Sequence, residues 1–372
     1  MPVPDSPFFP SSRTSPMNIF LTGHRGYIGA HLVDLLKRHG HSVTGCDLGL
    51  FDGCAWETPV RPDRELIKDV RDVTLRDLDG HDCVMHLAAI SNDPMGDLDP
   101  EITLRVNRDA SIDLARRAKR AGVGRFLFSG SCSVYGAGGS LDLAEDDPLN
   151  PLTAYAKSKI DTERGLVELS GDGFVTGLLR NSTAFGASPM LRIDLVVNNL
   201  LASAFAYGQI RIKSDGAPWR PLLHCRDIAR AFIAFAEAPA GAIDAIPINV
   251  GGNHLNYQVR DVADQVARLV PDAEIAFTGE VGADPRNYRV RFDRLAERVP
   301  GFRPEYTLES GMEDLHRRMV DYGFCLPDFE GDRFVRLRTL TKRLDRLGLP
   351  TPTPTPTPTP ALTPSTPSAR AA

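Results

Sequence analysis

The chain contains no uninterrupted apolar run of the roughly 18 residues needed to cross a bilayer, so no membrane span is expected. Cysteine is sparse. The six, at 46, 54, 83, 132, 225 and 325, form no Cys-x-x-Cys pair and no Cys/His ligand spacing. That pattern excludes the familiar structural zinc sites, and no metal ligand is expected. Scattered single cysteines suit reduced thiols in a cytoplasmic protein. Basic excess is also missing: 43 Lys and Arg stand against 48 Asp and Glu, for a net charge of −5, so nothing favours nucleic acid as a partner. The first 16 residues, rich in Pro and Ser, lack the apolar core of a signal peptide. Residues 1–16 are expected to be a disordered extension, with Met17 as an alternative start. Residues 350–372 open on alternating Pro and Thr, a composition that favours polyproline II and buries no core.

Strand and helix patterns alternate between these ends. Asn18–Leu21 is a short apolar run that ends on glycines. Tyr27–His39 has helical periodicity and stops at Gly40. Further strands are expected at 42–47, 84–89 and 126–128, with helices over 99–121 and 151–170. Such alternation predicts an α/β protein, a Rossmann-type doubly wound parallel sheet over residues 17–183. From 184 to 325 the alternation breaks into helices at 190–207, 226–237, 257–269 and 307–320. A smaller substrate-binding lobe, with some segments returning to the sheet, is expected there. Residues 326–349 read as an amphipathic helix docked by the stripe Phe334, Leu337, Leu340, Leu344 and Leu347. Its surrounding arginines leave contact with an anionic surface as an alternative.

Gly23, Gly26 and Gly29 are spaced Gly-x-x-Gly-x-x-Gly between the first strand and helix. That spacing gives a tight turn, a close approach for a pyrophosphate, and packing of helix on strand; the helix start at Tyr27 and Ile28 offers free N–H groups. Asp47 ends the second strand 18 residues after Gly29. A carboxylate there accepts from the adenosine ribose and repels a 2′-phosphate, which favours NAD. Arg25, within the loop, would suit a 2′-phosphate, so NADP stays open. Asp69 and Val70 are placed to flank adenine, and Leu87, Ala88 and Ala89 to line the cofactor. His86, inside an apolar strand, reads as structural.

Tyr155 and Lys159 lie four residues apart and share one helix face. A free phenol titrates near 10, so its use as a base at neutral pH requires roughly 4 kcal/mol of differential stabilisation. An adjacent ammonium and a nicotinamide cation are suitable sources. Ser131, in the cluster Ser129-Gly130-Ser131-Cys132-Ser133, is positioned to hold the substrate oxygen beside Tyr155. Ser129 and Ser133 are alternatives that spacing does not separate.

Together these motifs resemble the extended short-chain dehydrogenase/reductases, the NAD-dependent epimerase/dehydratase group acting on nucleotide sugars, over about residues 17–320. The resemblance implies a catalytic Ser131, Tyr155 and Lys159, and a structural and cofactor-site role for Asn107. It brings Ser129 to the cofactor and Ser131 and Ser133 to the substrate. The stretch 179–186 is similar to the group's Arg-Tyr-Phe-Asn-Val-Tyr-Gly segment, with Thr183 where Asn is usual and Asn181 two residues earlier. Asn199 matches a substrate-helix asparagine near the diphosphate, and Arg220 a diphosphate clamp. Asp284 and Arg286 fall where relatives often contact the nucleotide. In dehydratases of the group, Asp and Glu follow the catalytic Ser/Thr; decarboxylases tend to have Glu at the second position. Here the residues are Cys132 and Ser133. The resemblance therefore implies an epimerase first, a keto-sugar reductase or dehydrogenase as alternative, and a dehydratase or a non-catalytic scaffold after those. It also implies a homodimer through the helices of 99–121 and 152–170.

Overall fold

A computed structural model describes residues 15–91, 96, 98–136, 142–277 and 286–346. At its centre lies a seven-stranded parallel sheet. In spatial order its strands are Ile246–Val250, Val175–Asn181, Arg125–Ser131, Cys83–His86, Asn18–Thr22, Ser42–Asp47 and Arg64–Ile67. Ile19, Phe20 and Leu21 are fully buried in a row, as a strand covered on both faces requires. The order reverses direction at the first strand, which opens a crevice at the carboxyl ends of its neighbours. The glycine loop, Asp47, the turn after His86 and Ser131 all reach that edge.

Three smaller sheets lie beyond. Asn256–Gln258, Trp219–His224 and Thr183–Phe185 form one; Glu274–Phe277 pairs with Gln209–Ile212, and Arg289–Val290 with Asp142–Leu143. Leu200, Leu201, Val262, Val266, Met312, Leu315 and Phe334 share a second apolar core. Among the described residues, no helix is long and apolar enough to cross a membrane.

Several elements differ from the sequence expectation, and the strand expected at 84–89 stops at His86. The strand expected at 126–128 runs to Ser131, because its pairing with Val175–Asn181 continues to Ser131 opposite Asn181. The helix over 99–121 carries a π turn at Arg105–Asp109; the wider turn leaves Asn107 bonded sideways to Ile90. The helix expected from 190 begins at Val196. Asn198 and Asn199 donate to the carbonyls of Arg192 and Ile193, which hold the preceding segment outside the helix. The C-terminal helix expected over 326–349 is split into a short helix, Leu326–Glu330, and a second that begins at Arg336. Its inward face carries Arg336 and Thr339, both buried, while Phe334 is buried in the turn before it and Leu337 is half-buried. Polar contacts therefore dock this helix alongside the apolar stripe: Arg336 donates to Met190 O, and Arg343 to Gly49 O and Asp52 O.

Candidate active site

The crevice is a cavity of about 1040 Å³. Its floor is the glycine loop. Gly23 has φ +76°, and a Cβ there would lie 2.8 Å from Ala88 N; one on Gly29 would lie 2.1 Å from Gly23 O. Side chains would fill this cradle, so the loop accepts a ligand backbone only because it has none. Asp47 is aimed by two amides, Arg25 N at 3.1 Å and Gly49 N at 2.8 Å. Arg25 turns its guanidinium to Asp52 at 2.7 Å and to Glu65 at 2.9 Å. Hydrogen bonds from Arg25 and His24 hold the Glu65 carboxyl down at about 2. The arginine is thus committed to carboxylates of its own chain. The residues present fit NAD: an open phosphate cradle, and an oriented carboxylate where a 2′-phosphate would need a free cation.

The turn after Cys83–His86 is held by a buried relay. Leu87 N and Ala88 N both donate to Thr22 Oγ1. Ser111 donates to Asn107 O at 2.6 Å, so its oxygen receives the His86 Nε2 proton and Thr22 donates to Nδ1, each at 2.7 Å. Burial depresses the imidazole to about 3. His86 is a neutral bracket.

Thr153 caps the helix Ala154–Leu169 by accepting from Ala156 N, which sets the register that turns Tyr155 and Lys159 into the cavity. Lys159 is 3% exposed. Its Nζ donates to Ser129 O at 2.7 Å and lies 5.6 Å from the Tyr155 ring centroid. Burial lowers it to about 8. Ser131 Oγ accepts from Ser133 N at 3.1 Å, which leaves its hydroxyl proton free to point into the cavity. Ser133 Oγ and Asn181 Oδ1 are buried without hydrogen-bond partners, while Asn181 Nδ2 donates to Ser129 Oγ. Two orphaned polar atoms on one wall are vacancies for a polar ligand.

The cavity is lined by Gly23, Arg25, Gly26, Tyr27, Ile28, Gly29, Asp47, Asp69, Val70, Leu87, Ala88 and Ala89, and also by Ser129, Ser131, Ser133, Tyr155, Lys159, Asn181, Thr183, Asn199, Arg220 and Arg286. Asn107 is not on its wall. Its amide is spent on Ile90 N and O and on Ser158 Oγ, one layer behind. Arg220 lines the cavity but donates to the backbone carbonyls of Trp219 and Arg286. Asp284 lies outside the described residues.

Among the wall residues that sequence reasoning missed are Arg192, Asp194 and Arg336. Arg192 and Asp194 form a buried bidentate pair at 2.8 and 2.9 Å, and Arg336 reaches in from the C-terminal helix. Arg192-Ile193-Asp194 directly before an Asn-Asn helix start was the available signal; its absorption into an expected helix hid it. Arg336 left no local signal.

A sheet with this crevice, glycine cradle and Tyr/Lys helix defines a dinucleotide-dependent short-chain dehydrogenase/reductase architecture. Residues 19–251 match the family model described as "NAD dependent epimerase/dehydratase family", and the chain belongs to that family. It is 28% identical over 322 residues to a UDP-glucose 4-epimerase of Mycolicibacterium smegmatis, covering 80% of this chain and 96% of that one. It is 26% identical over 305 residues to a UDP-glucuronic acid decarboxylase 1 of Xenopus tropicalis, covering 79% and 70%. Among solved structures, MoeE5 in complex with UDP-glucuronic acid and NAD superposes with a TM-score of 0.71 at 25% identity, covering 82% of this chain and 99% of that one. The family is one of NAD-dependent enzymes, so this chain is an enzyme of that class.

Proposed function

We propose that the protein is an NAD-dependent nucleotide-sugar epimerase, with Tyr155 as the acid/base, Lys159 as its charge partner and Ser131 as the group that holds the reacting oxygen. One observation carries this reading: no carboxylate follows Ser131. Cys132 turns its thiol away to Arg180 O at 3.2 Å, and Ser133 is a neutral hydroxyl. The buried acids nearby are engaged elsewhere, Glu163 with Arg180 and Glu145 with Asn249 N. Loss of water or of carbon dioxide requires a second acid/base to move a proton at carbon or at a leaving oxygen. Epimerisation requires one base at the sugar oxygen and none beyond.

NAD, held by the glycine cradle and Asp47, would supply reversible hydride transfer at the sugar carbon. Tyr155 takes the hydroxyl proton as the hydride leaves; the keto-sugar turns over in the pocket, and Tyr155 returns the proton to the same oxygen while the hydride comes back to the other face of the carbon. Ser131 fixes that oxygen, and the Lys159 ammonium favours the phenolate. The resemblance to a UDP-glucose 4-epimerase supports a nucleoside diphosphate sugar as substrate. We extend the same reading to a homodimer through the helices of 99–121 and 152–170, testable by light scattering.

The experiment is to release and quantify NAD(H) from purified protein, then follow a panel of UDP-, GDP-, CDP- and dTDP-sugars by NMR. A new sugar isomer without net change at 340 nm is expected, and Tyr155→Phe abolishes it while NAD stays bound. A product that has lost water or carbon dioxide, or turnover only on added NAD(P)H, would displace the epimerase reading.

A further inference from the structure

Arg336 is the first residue of a helix that lies outside the family-matched region, yet it is 2% exposed. Its Nη2 donates to Met190 O at 3.0 Å, and its guanidinium lies 4.5 Å from the Phe51 ring centroid. Nη1 is buried without a partner. Its placement is unfavourable on three counts. The guanidinium is desolvated; it sits at the positive end of its own helix; and it lies within the field of a second buried arginine, Arg192. Arginine does not escape such a position by losing its proton, and the group, although pushed down to about 10, stays charged at neutral pH. Among the described residues, Asp194 is the carboxylate that stabilises both cations. Two buried guanidiniums thus face one partly buried carboxylate, an arrangement that lacks an anion.

Both arginines line the same cavity as Gly26 and Tyr155. Arg192 donates toward Ser91 Oγ at 3.4 Å and feels both Tyr27 and Tyr155. Met190, which accepts from Arg336, packs with Cys54 against Ala30 in the first turn of the glycine-loop helix. The pair therefore shares a cavity wall with the phosphate cradle and the base.

We propose that Arg192 and Arg336 form an oxyanion subsite that completes its charge balance only when ligand is bound. The inference rests on the cavity taking a dinucleotide and a nucleotide sugar. Two sources offer the same chemistry there: the diphosphate of the dinucleotide, and an acidic substituent such as a carboxylate on the sugar. Either way, a C-terminal arm beyond the matched region takes part in ligand binding.

The test uses full-length protein and requires no turnover, so it stands apart from the fate of the epimerase reading. Arg336→Met and Arg336→Lys are compared with wild type for NAD dissociation, and for binding of UDP-glucose and UDP-glucuronic acid to NAD-loaded protein by calorimetry. Loss of a charged hydrogen-bond partner is expected to weaken the relevant ligand about tenfold or more in Arg336→Met, with partial recovery in Arg336→Lys. Weaker NAD with both sugars unchanged assigns the dinucleotide diphosphate. Weaker UDP-glucuronic acid alone assigns the sugar carboxylate. Melting temperature without added ligand separates this from a structural role. Removal of an uncompensated buried charge offsets the lost bond to Met190 and leaves it equal or higher, whereas removal of a purely structural anchor lowers it. Unchanged binding of all three ligands, or a melting temperature that falls with no ligand-specific effect, overturns the proposal.

Discussion

The Lys159 ammonium donates to the Ser129 carbonyl at 2.7 Å, which ties the helix that carries Tyr155 to the strand that carries Ser131. The same ammonium lies 4.7 Å from the Phe128 ring centroid and 5.6 Å from that of Tyr155. Burial brings it to about 8 from an ordinary 10.5. Its charge, which favours the phenolate, is present below pH 8 and lost above it. Epimerisation is expected to fall as pH rises through about 8, and Lys159→Met to lose about 100-fold or more in kcat/KM. The stability consequence has the opposite sign. Between pH 8 and 10.5 the unfolded chain holds a proton that the folded one has released, so Lys159 weighs against folding below pH 8 and less above it. A rate profile flat to pH 9.5 would remove Lys159 from the charge argument.

Arg25 is held by Glu65 and Asp52, and that contact is expected to set cofactor choice. With Asp47 aimed at the same region, a 2′-phosphate would meet a carboxylate and find the nearest guanidinium occupied. Glu65→Gln combined with Asp52→Asn frees Arg25. NADP affinity should rise about tenfold relative to NAD, from one new charged contact. Equilibrium titration of both dinucleotides measures the ratio. An unchanged ratio would place the discrimination in Asp47 alone.

Much of this organisation was legible from the sequence because local rules and tertiary structure agree. Gly23, Gly26 and Gly29 announce a cradle, and the structure shows backbone within 3 Å of where their side chains would be. Tyr155 and Lys159 share a face by helical spacing alone. What sequence could not supply was partnership across the chain. Arg25 looked like a free cation because Asp52 and Glu65 lie 27 and 40 residues away. The C-terminal stripe suggested apolar docking, whereas Arg336 and Arg343 reach backbone carbonyls of residues more than 140 positions earlier. Asn107, expected in a structural and cofactor-site role, spends its amide on Ile90. The π turn that places it there has no signature in residue periodicity.

The His86 bracket predicts acid sensitivity. The folded imidazole sits at about 3, against an ordinary 6.5. His31, buried and bonded to Ala187 O, is held at about 4. Below pH 6.5 the unfolded chain takes up protons that these two folded histidines refuse, so stability falls with pH from 6.5 toward 4. Each histidine contributes a slope approaching about 1.4 kcal/mol per pH unit. His86→Asn should cost about 1–3 kcal/mol at pH 7 by breaking the Thr22–Ser111 relay, and should flatten its share of the acid limb. Urea unfolding at pH 7.0 and 4.5 reads both effects; an unaltered acid slope in the variant would show that His86 is not its source.

Gly29→Ala tests the cradle sterically. The added methyl would lie 2.1 Å from Gly23 O and 2.8 Å from His24 Cα, both backbone atoms. No rotamer relieves that contact, so the first turn of the helix must move away from the loop. Overpacking of this kind costs about 1–3 kcal/mol of stability. The larger effect should fall on the cofactor, because the displaced turn carries the amides of Tyr27 and Ile28 away from the phosphate position. Purified Gly29→Ala protein is expected to retain its secondary structure by circular dichroism and to carry little or no NAD after denaturing release. Full NAD content together with a wild-type melting temperature would mean that the loop tolerates the methyl and that the pyrophosphate is held by other groups.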